Sequence, residues 1–136
     1  MIAQAAPREH YGWLIERAGA PLTGAARAIE AVDAKGVIRG MVAYDFWTDN
    51  AVFAHVAVET PIAWRSLLPA IFDYPFNEAG KGVLVAMVSG DNLKSLRMCS
   101  HLGFRVAHRI KDGKAQGVDM VMFEMRRDEC RYIGRA

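Results

Sequence analysis

Two side chains capable of acid–base chemistry stand on one face of one short stretch. Val52 to Val58 alternates, with Val52, Ala54, Val56 and Val58 opposite Phe53, His55 and Ala57, and Glu59 continues the His55 side. Histidine titrates near neutral pH, so it suits moving a proton to or from a bound group. A second constellation is KGVLVAMVSGDNLKSLRMCSHLGF, from Lys81 to Phe104. It reads as a strand of apolar residues, buried on both faces, then a turn at Ser89 to Asn92, then a helix. Leu93, Leu96, Cys99 and Leu102 recur at helical spacing, and Gly103 ends the pattern. A strand that runs into a helix N-terminus is a usual place for an α/β protein to hold a ligand. Asn92 stands at that turn as a capping residue, and Cys99 puts a thiol on the helix. A thiol can donate a proton, and cysteine is also one of the commonest small buried residues.

These side chains need elements to carry them. Pro7 suits a first helical position, and Tyr11, Leu14, Ile15 and Ala18 then share a helical face that Gly19 ends. Ala25 to Asp33 fits a helix or a strand by composition. The turn Asp33-Ala34-Lys35-Gly36 and the alternating run Val37 to Trp47 make a β-hairpin the better reading. With Val52 to Val58 it forms a three-stranded antiparallel meander. Thr60-Pro61 breaks the strand, and Ala63 to about Ala79 reads as a helix on Trp64, Leu67, Leu68, Ile71 and Phe72. Pro69 and Pro75 inside it predict a kink or two pieces, with a bend at Tyr74 to Phe76. Phe104 to Ile110 and Val118 to Met125 form a last hairpin, with its turn at Lys111 to Lys114. The tail RRDECRYIGRA packs loosely in this reading. The order helix, three strands, helix, strand, helix, two strands predicts a mixed sheet flanked by helices.

The bulk properties narrow the function classes. At 136 residues the chain has the size of one domain, residues 1–136, and 52% hydrophobic content suffices for a core. Lys and Arg number 17 against 15 Asp and Glu, for a net charge of +2, which argues against nucleic acid as a partner. Cys99 and Cys130 have neither metal-ligand spacing nor the density of a disulfide scaffold, so no metal is expected. The start MIAQAAPREHYGW lacks the basic start and long apolar core of a signal peptide, and no apolar run spans a bilayer. The expectation is a cytoplasmic protein with no membrane partner.

The order of elements and the second half of the chain resemble the GNAT superfamily of N-acyltransferases, specifically small members akin to the ribosomal-protein N-terminal acetyltransferases. The resemblance covers roughly Ala25 to Tyr132. Its most specific part is Val88-Ser89-Gly90-Asp91-Asn92-Leu93-Lys94-Ser95 with Leu102-Gly103-Phe104. Gly113, Gly117 and Asp119 in the last hairpin and the tail Glu129-Cys130-Arg131-Tyr132 also fit. The resemblance implies a mostly antiparallel α/β sheet of six to seven strands, with the fourth and fifth splayed around acetyl-CoA. It implies transfer of the acetyl group to a primary amine, on a small molecule or a protein N-terminus, by direct attack on the thioester, and a possible homodimer.

On this chain the resemblance implies that cofactor contacts come from Val58, Thr60, Ala63, Trp64, Arg65 and Ser66, where the helix after the fourth strand would take the pyrophosphate, and from Asn92 and Ser95. His55 or Glu59 would be the base, and Cys99 stands where the family often carries a tyrosine that protonates the departing thiolate. The family's glycine-containing loop is replaced here by Glu59-Thr60-Pro61-Ile62-Ala63-Trp64, which has no glycine. That replacement, with Cys99 for tyrosine, leaves a second expectation open: a GNAT fold without catalysis, serving as a binding or assembly module. An α/β ligand-binding domain unrelated to acyl transfer is a third. Asp45, Trp47 and Asp49 mark a place where an acceptor amine would bind. Arg126, Arg127, Arg131 and Arg135 make a basic tail that reads as a solvated end. Trp13, Trp64, Phe72, Tyr74 and Phe76 read as core or interface.

Overall fold

The computed structural model describes residues 1–134, so Arg135 of the basic tail lies outside the described residues. Its strands are β1 (Ile2–Ala5), β2 (Arg27–Val32), β3 (Ile38–Asp45), β4 (Ala51–Val58), β5 (Val83–Ser89), β6 (Arg105–Ala115) and β7 (Val118–Arg126). Its α-helices are α1 (Tyr11–Ala18), α2 (Pro61–Asp73) and α3 (Leu93–Leu102). Among the described residues the seven strands form one sheet in the order β1-β2-β3-β4-β5-β7-β6. All neighbours are antiparallel except β4 and β5. This is the mixed, mostly antiparallel α/β sheet that the sequence predicts.

The meander forms where the turn chemistry asks for it. Asp33 Oδ1 accepts from the amides of Lys35 and Val37, and Gly36 takes a positive φ of 79°. Each face of the sheet then builds its own core. Val42, Tyr44, Val52, Leu84, Val88, Val121 and Phe123 meet α2 and α3 on one face. Met41, Ala43 and Ala28 meet Tyr11 and Leu14 of α1 on the other. Gly40 lets α2 approach β3 closely, since a Cβ there would lie 3.0 Å from Val58 and 3.1 Å from Leu67. Phe72 and Phe76 are fully buried, as the core reading of the aromatic residues expects. The proline-containing helix does come in two pieces: α2 ends at Asp73 and a π-helical turn, Tyr74–Glu78, carries Pro75.

Several expectations change. β1 is absent from the sequence reading; its four residues are all exposed, so no apolar alternation announces it. Ile15 and Leu93 fall at the edges of their helical stripes and are exposed rather than buried. β5 is deeply buried on one face only, at Leu84 and Val88, because on the other face α1 packs chiefly on β3 and β4. The last hairpin turns at 116–117, where Gly117 supplies φ 84°, not at Lys111 to Lys114. Asp112, at φ 57°, lies in a register shift of β6, and its carboxylate accepts from the Gly117 amide. The tail is not loose: Cys130 is buried and Tyr132 stacks on Phe72 at 4.9 Å.

Candidate active site

The parallel pair β4–β5 holds together only as far as Ala54 opposite Ala86. Beyond it β4 still pairs with β3, through Gly40 opposite Val58, and β5 still pairs with β7, through Ser89 opposite Met120. The two halves of the sheet therefore part at their C-terminal ends. Val56 shows the consequence: it shares a row with buried Val52, yet it is 45% exposed because β3 lies on one side of it and no strand on the other. The edge of β4 from His55 to Val58 that faces the gap has no strand partner, so its amides there are unused donors. α2 begins after β4 and α3 after β5, so two helix N-termini flank the same opening.

His55 is the first residue of β4 past the last pair, on the α1 face. Its Nε2 is buried with no hydrogen-bond partner among the described residues. Burial holds its pKa below the ordinary 6.5, partly offset by the Asp45 carboxylate. A neutral imidazole with an unspent ring nitrogen can accept a proton. Glu59, two residue pairs further along, is engaged differently. Its oxygens lie 3.3 Å from Arg17 of α1 and 3.4 Å from Arg39 of β3. Those two guanidinium groups make it a link between α1 and the strand end.

The α2 N-terminus is closed by its own cap. Thr60 Oγ1 accepts from the Ala63 amide at 3.1 Å, and Pro61, the first helical residue, has no N–H. Two of the orphan donors that would receive a phosphate are thus spent or missing. Ala63 is fully buried under the sheet, and Arg65 is exposed on the helix. Ser66 is half-buried in the next turn. α3 is capped in the same way: Asn92 Oδ1 accepts from the Ser95 amide at 3.2 Å. Cys99 is half-buried against the core, and burial pushes its thiol up to about 11.

The basic cleft lies between these helices. A cavity of about 460 Å³ is lined by Trp64 of α2 and by Lys94, Arg97, Met98, His101 and Leu102 of α3. Lys94, Arg97 and His101 are spaced i, i+3 and i+7, so they form one stripe of the helix. Sequence reasoning passed over them, although that spacing was there to be read. Trp64, expected both in the core or an interface and as a cofactor contact, is half-buried against the core and forms one wall of this cleft.

The proposed acceptor trio is dispersed. Asp45 is fully buried, and its carboxylate accepts from the Thr23 amide and hydroxyl, both at 2.6 Å, and from the Phe46 amide. Burial raises its pKa, but these hydrogen bonds outweigh that and the net shift is downward. Trp47 donates to the Ala25 carbonyl and packs edge-on against Tyr74. Asp49 sits in the turn before β4, where its carbonyl accepts from Lys81. Among the described residues, no three His, Cys, Asp or Glu side chains gather as a metal site, and no helix is long and apolar enough to cross a membrane.

No protein-family model matches the sequence, and no curated protein sequence matches it. Solved structures do. A chimera of the Vibrio cholerae spermidine N-acetyltransferase SpeG with hSSAT superposes with a TM-score of 0.78 at 12% identity, over 98% of this chain and 100% of that one. A single-residue mutant of the Vibrio cholerae enzyme gives 0.78 at 13% identity, over 99% of both chains. A dodecameric form of the enzyme from the same organism gives 0.75 at 13%, over 98% of this chain and 96% of that one. At such identities the likeness is one of fold: the chain has the GNAT fold of N-acetyltransferases.

Proposed function

We propose that this chain transfers the acetyl group of acetyl-CoA to the primary amine of a small molecule. The observation that carries the reading is the parting of β4 and β5 beyond Ala54 and Ala86, with His55 Nε2 unpartnered at its start. Neighbours of like fold that acetylate spermidine support amine acetylation.

Acetyl-CoA supplies an activated acetyl thioester. The gap beside Val56 and Val58 accommodates the pantetheine arm, and Lys94 and Arg97 supply positive charge for its phosphates, with His101 next on the same stripe. Side chains thereby take over a task that the capped α2 terminus performs poorly. An amine is protonated near neutral pH and must lose a proton to attack. His55, kept neutral by burial, receives it. Free amides along β4 stabilise negative charge developing on the carbonyl oxygen. The Cys99 thiol, protonated throughout the working range, is the candidate on α3 to return a proton to the leaving sulfur.

Thermal unfolding with and without CoA tests the cosubstrate. Ligand at about 100 times its dissociation constant adds roughly 2.7 kcal/mol of stability, and thiol release with an amine panel then reports turnover. No shift at millimolar CoA overturns the proposal. The second reading, a binding module without catalysis, is favoured by the closed cap of Thr60 over Ala63. A CoA shift with no turnover on any amine would select it.

A further inference from the structure

The α1 face of the sheet beside His55 carries an aromatic pair that the acetyl-transfer reading does not use. Phe53 stands two residues before His55 on the same face of β4, about 7 Å along the strand. Phe46 meets it edge-to-face at 5.9 Å between ring centres. Phe46 is 50% exposed and adopts φ 54°, the left-handed region, which is rare for a bulky side chain. Its amide is held there by Asp45 Oδ1 at 2.9 Å, and Asp45 is anchored in turn by Thr23. Strained backbone thus holds a half-exposed ring against Phe53, on the side of Phe53 away from His55, as functional sites often do. Val85 and Met87 of β5 continue the surface on the same face, where both are half-buried.

Charge on this face points the same way. A polyamine needs carboxylates for its distal ammonium groups. Among the described residues, three strand carboxylates of this face are already engaged, Glu30 by His10 and Gln4, Asp45 by Thr23, and Glu59 by Arg17 and Arg39, and the fourth, Glu124, stands on β7 with Arg126 at 3.9 Å. Resting on the acetyl-transfer reading, we infer that the acceptor is an arylalkyl primary amine, whose ring packs on Phe46 and Phe53 while its amine reaches His55, and that it is not a polyamine. The separation of Phe53 from His55 suits an amine two or three carbons from a ring.

The test compares 2-phenylethylamine, butylamine and spermidine as acceptors, and measures binding of 2-phenylethylamine by calorimetry in the presence of CoA. Phe46→Gly removes the ring and relaxes the left-handed backbone, so the variant folds. The expected result is a kcat/KM for 2-phenylethylamine about tenfold above that for spermidine, and a loss of about tenfold in Phe46→Gly, carried by KM. Butylamine, with no ring to stack, should change by less than about twofold in the same variant. Equal or better turnover of spermidine overturns the inference and leaves acetyl transfer standing. So does an equal loss for both other amines in Phe46→Gly. If nothing is turned over, binding decides: tight binding of 2-phenylethylamine that Phe46→Gly weakens about tenfold upholds the aryl site while transfer fails, and no binding overturns both.

Discussion

At the scale of single residues, His55 and Cys99 carry opposite protonation demands, and burial keeps both neutral while weakening each as base and acid. Burial lowers the imidazole's pKa and raises the thiol's, so each stays neutral near pH 7, one able to accept a proton and one able to give it. His55→Gln keeps a similar shape and removes the base. Its kcat should fall by about 10² or more, with KM for acetyl-CoA unchanged. In the wild type, kcat should hold its plateau as pH drops through 6.5 and fall only below it, since the folded-state pKa lies under that value. A loss of kcat that sets in above pH 6.5 would contradict the assignment. The linked stability has a definite sign. Below about pH 6.5 the unfolded chain binds a proton at His55 that the folded chain resists, so stability declines as pH falls. Melting curves of His55→Gln should lack that part of the decline. Cys99 makes a chemical prediction: with its thiol at about 11, roughly one part in a thousand is thiolate at pH 8. Iodoacetamide should label the folded protein far more slowly than the urea-unfolded chain, and equal rates would refute the burial. His55 was legible in the sequence because strand alternation put it on a definite face. Its missing partner was not, because that depends on where β5 stops pairing.

At the scale of elements, the informative contrast is between the two helix starts and the stripe that joins them. Asn92 was legible as a cap because side-chain caps are written locally, whereas Thr60-Pro61 read as the break of a strand with the helix from Ala63, two residues after its actual start at Pro61. What the caps spend was not legible: Thr60 uses the Ala63 amide and Asn92 the Ser95 amide, the donors that the resemblance assigns to cofactor. Thr60→Ala separates the roles. It should cost about 1 kcal/mol of stability, and it should leave CoA affinity unchanged or slightly tighter, because an amide is released. A clear loss of affinity would return Thr60 to the cofactor site. The opposite pattern is expected for Lys94→Ala with Arg97→Ala on the exposed stripe of α3. Stability should hold, CoA should bind about tenfold more weakly by calorimetry, and the salt dependence of binding should flatten. If the double variant binds CoA as the wild type does, phosphate lies elsewhere. The stripe escaped notice because an exposed run of cations on a helix also reads as a solvated face, and only the wall opposite, Trp64, turns it into a cleft.

At the scale of the whole molecule, a buried carboxylate joins the N-terminal segment to the sheet. Glu30 is 1% exposed on β2. One oxygen lies 2.7 Å from His10 Nδ1 and the other accepts from Gln4 Nε2 at 2.9 Å. Gln4 belongs to β1, and His10 immediately precedes α1, the helix that covers the face bearing His55. The meander was legible because apolar alternation and turn residues record it, the strands of the last hairpin were legible though its turn was not, and the parting of the fourth and fifth strands came from the resemblance alone. β1 was not legible, since a four-residue, fully exposed edge strand has no apolar face to record. What seats it is pairing to β2, from Ile2 opposite Val32 to Ala5 opposite Ile29, together with this one side chain. Glu30→Ala removes the acceptor of both partners and opens a void, at about 2 kcal/mol. Trypsin should then cut after Arg8, between β1 and α1, well before it cuts within the sheet. Glu30→Gln keeps an oxygen for Gln4 and should fall between Glu30→Ala and the wild type. If α1 loosens with its tether, the His55 face opens and kcat falls in Glu30→Ala although no part of Glu30 approaches the gap. Unchanged cleavage after Arg8 would mean that strand pairing alone holds the segment, and the fall in kcat should then be absent too.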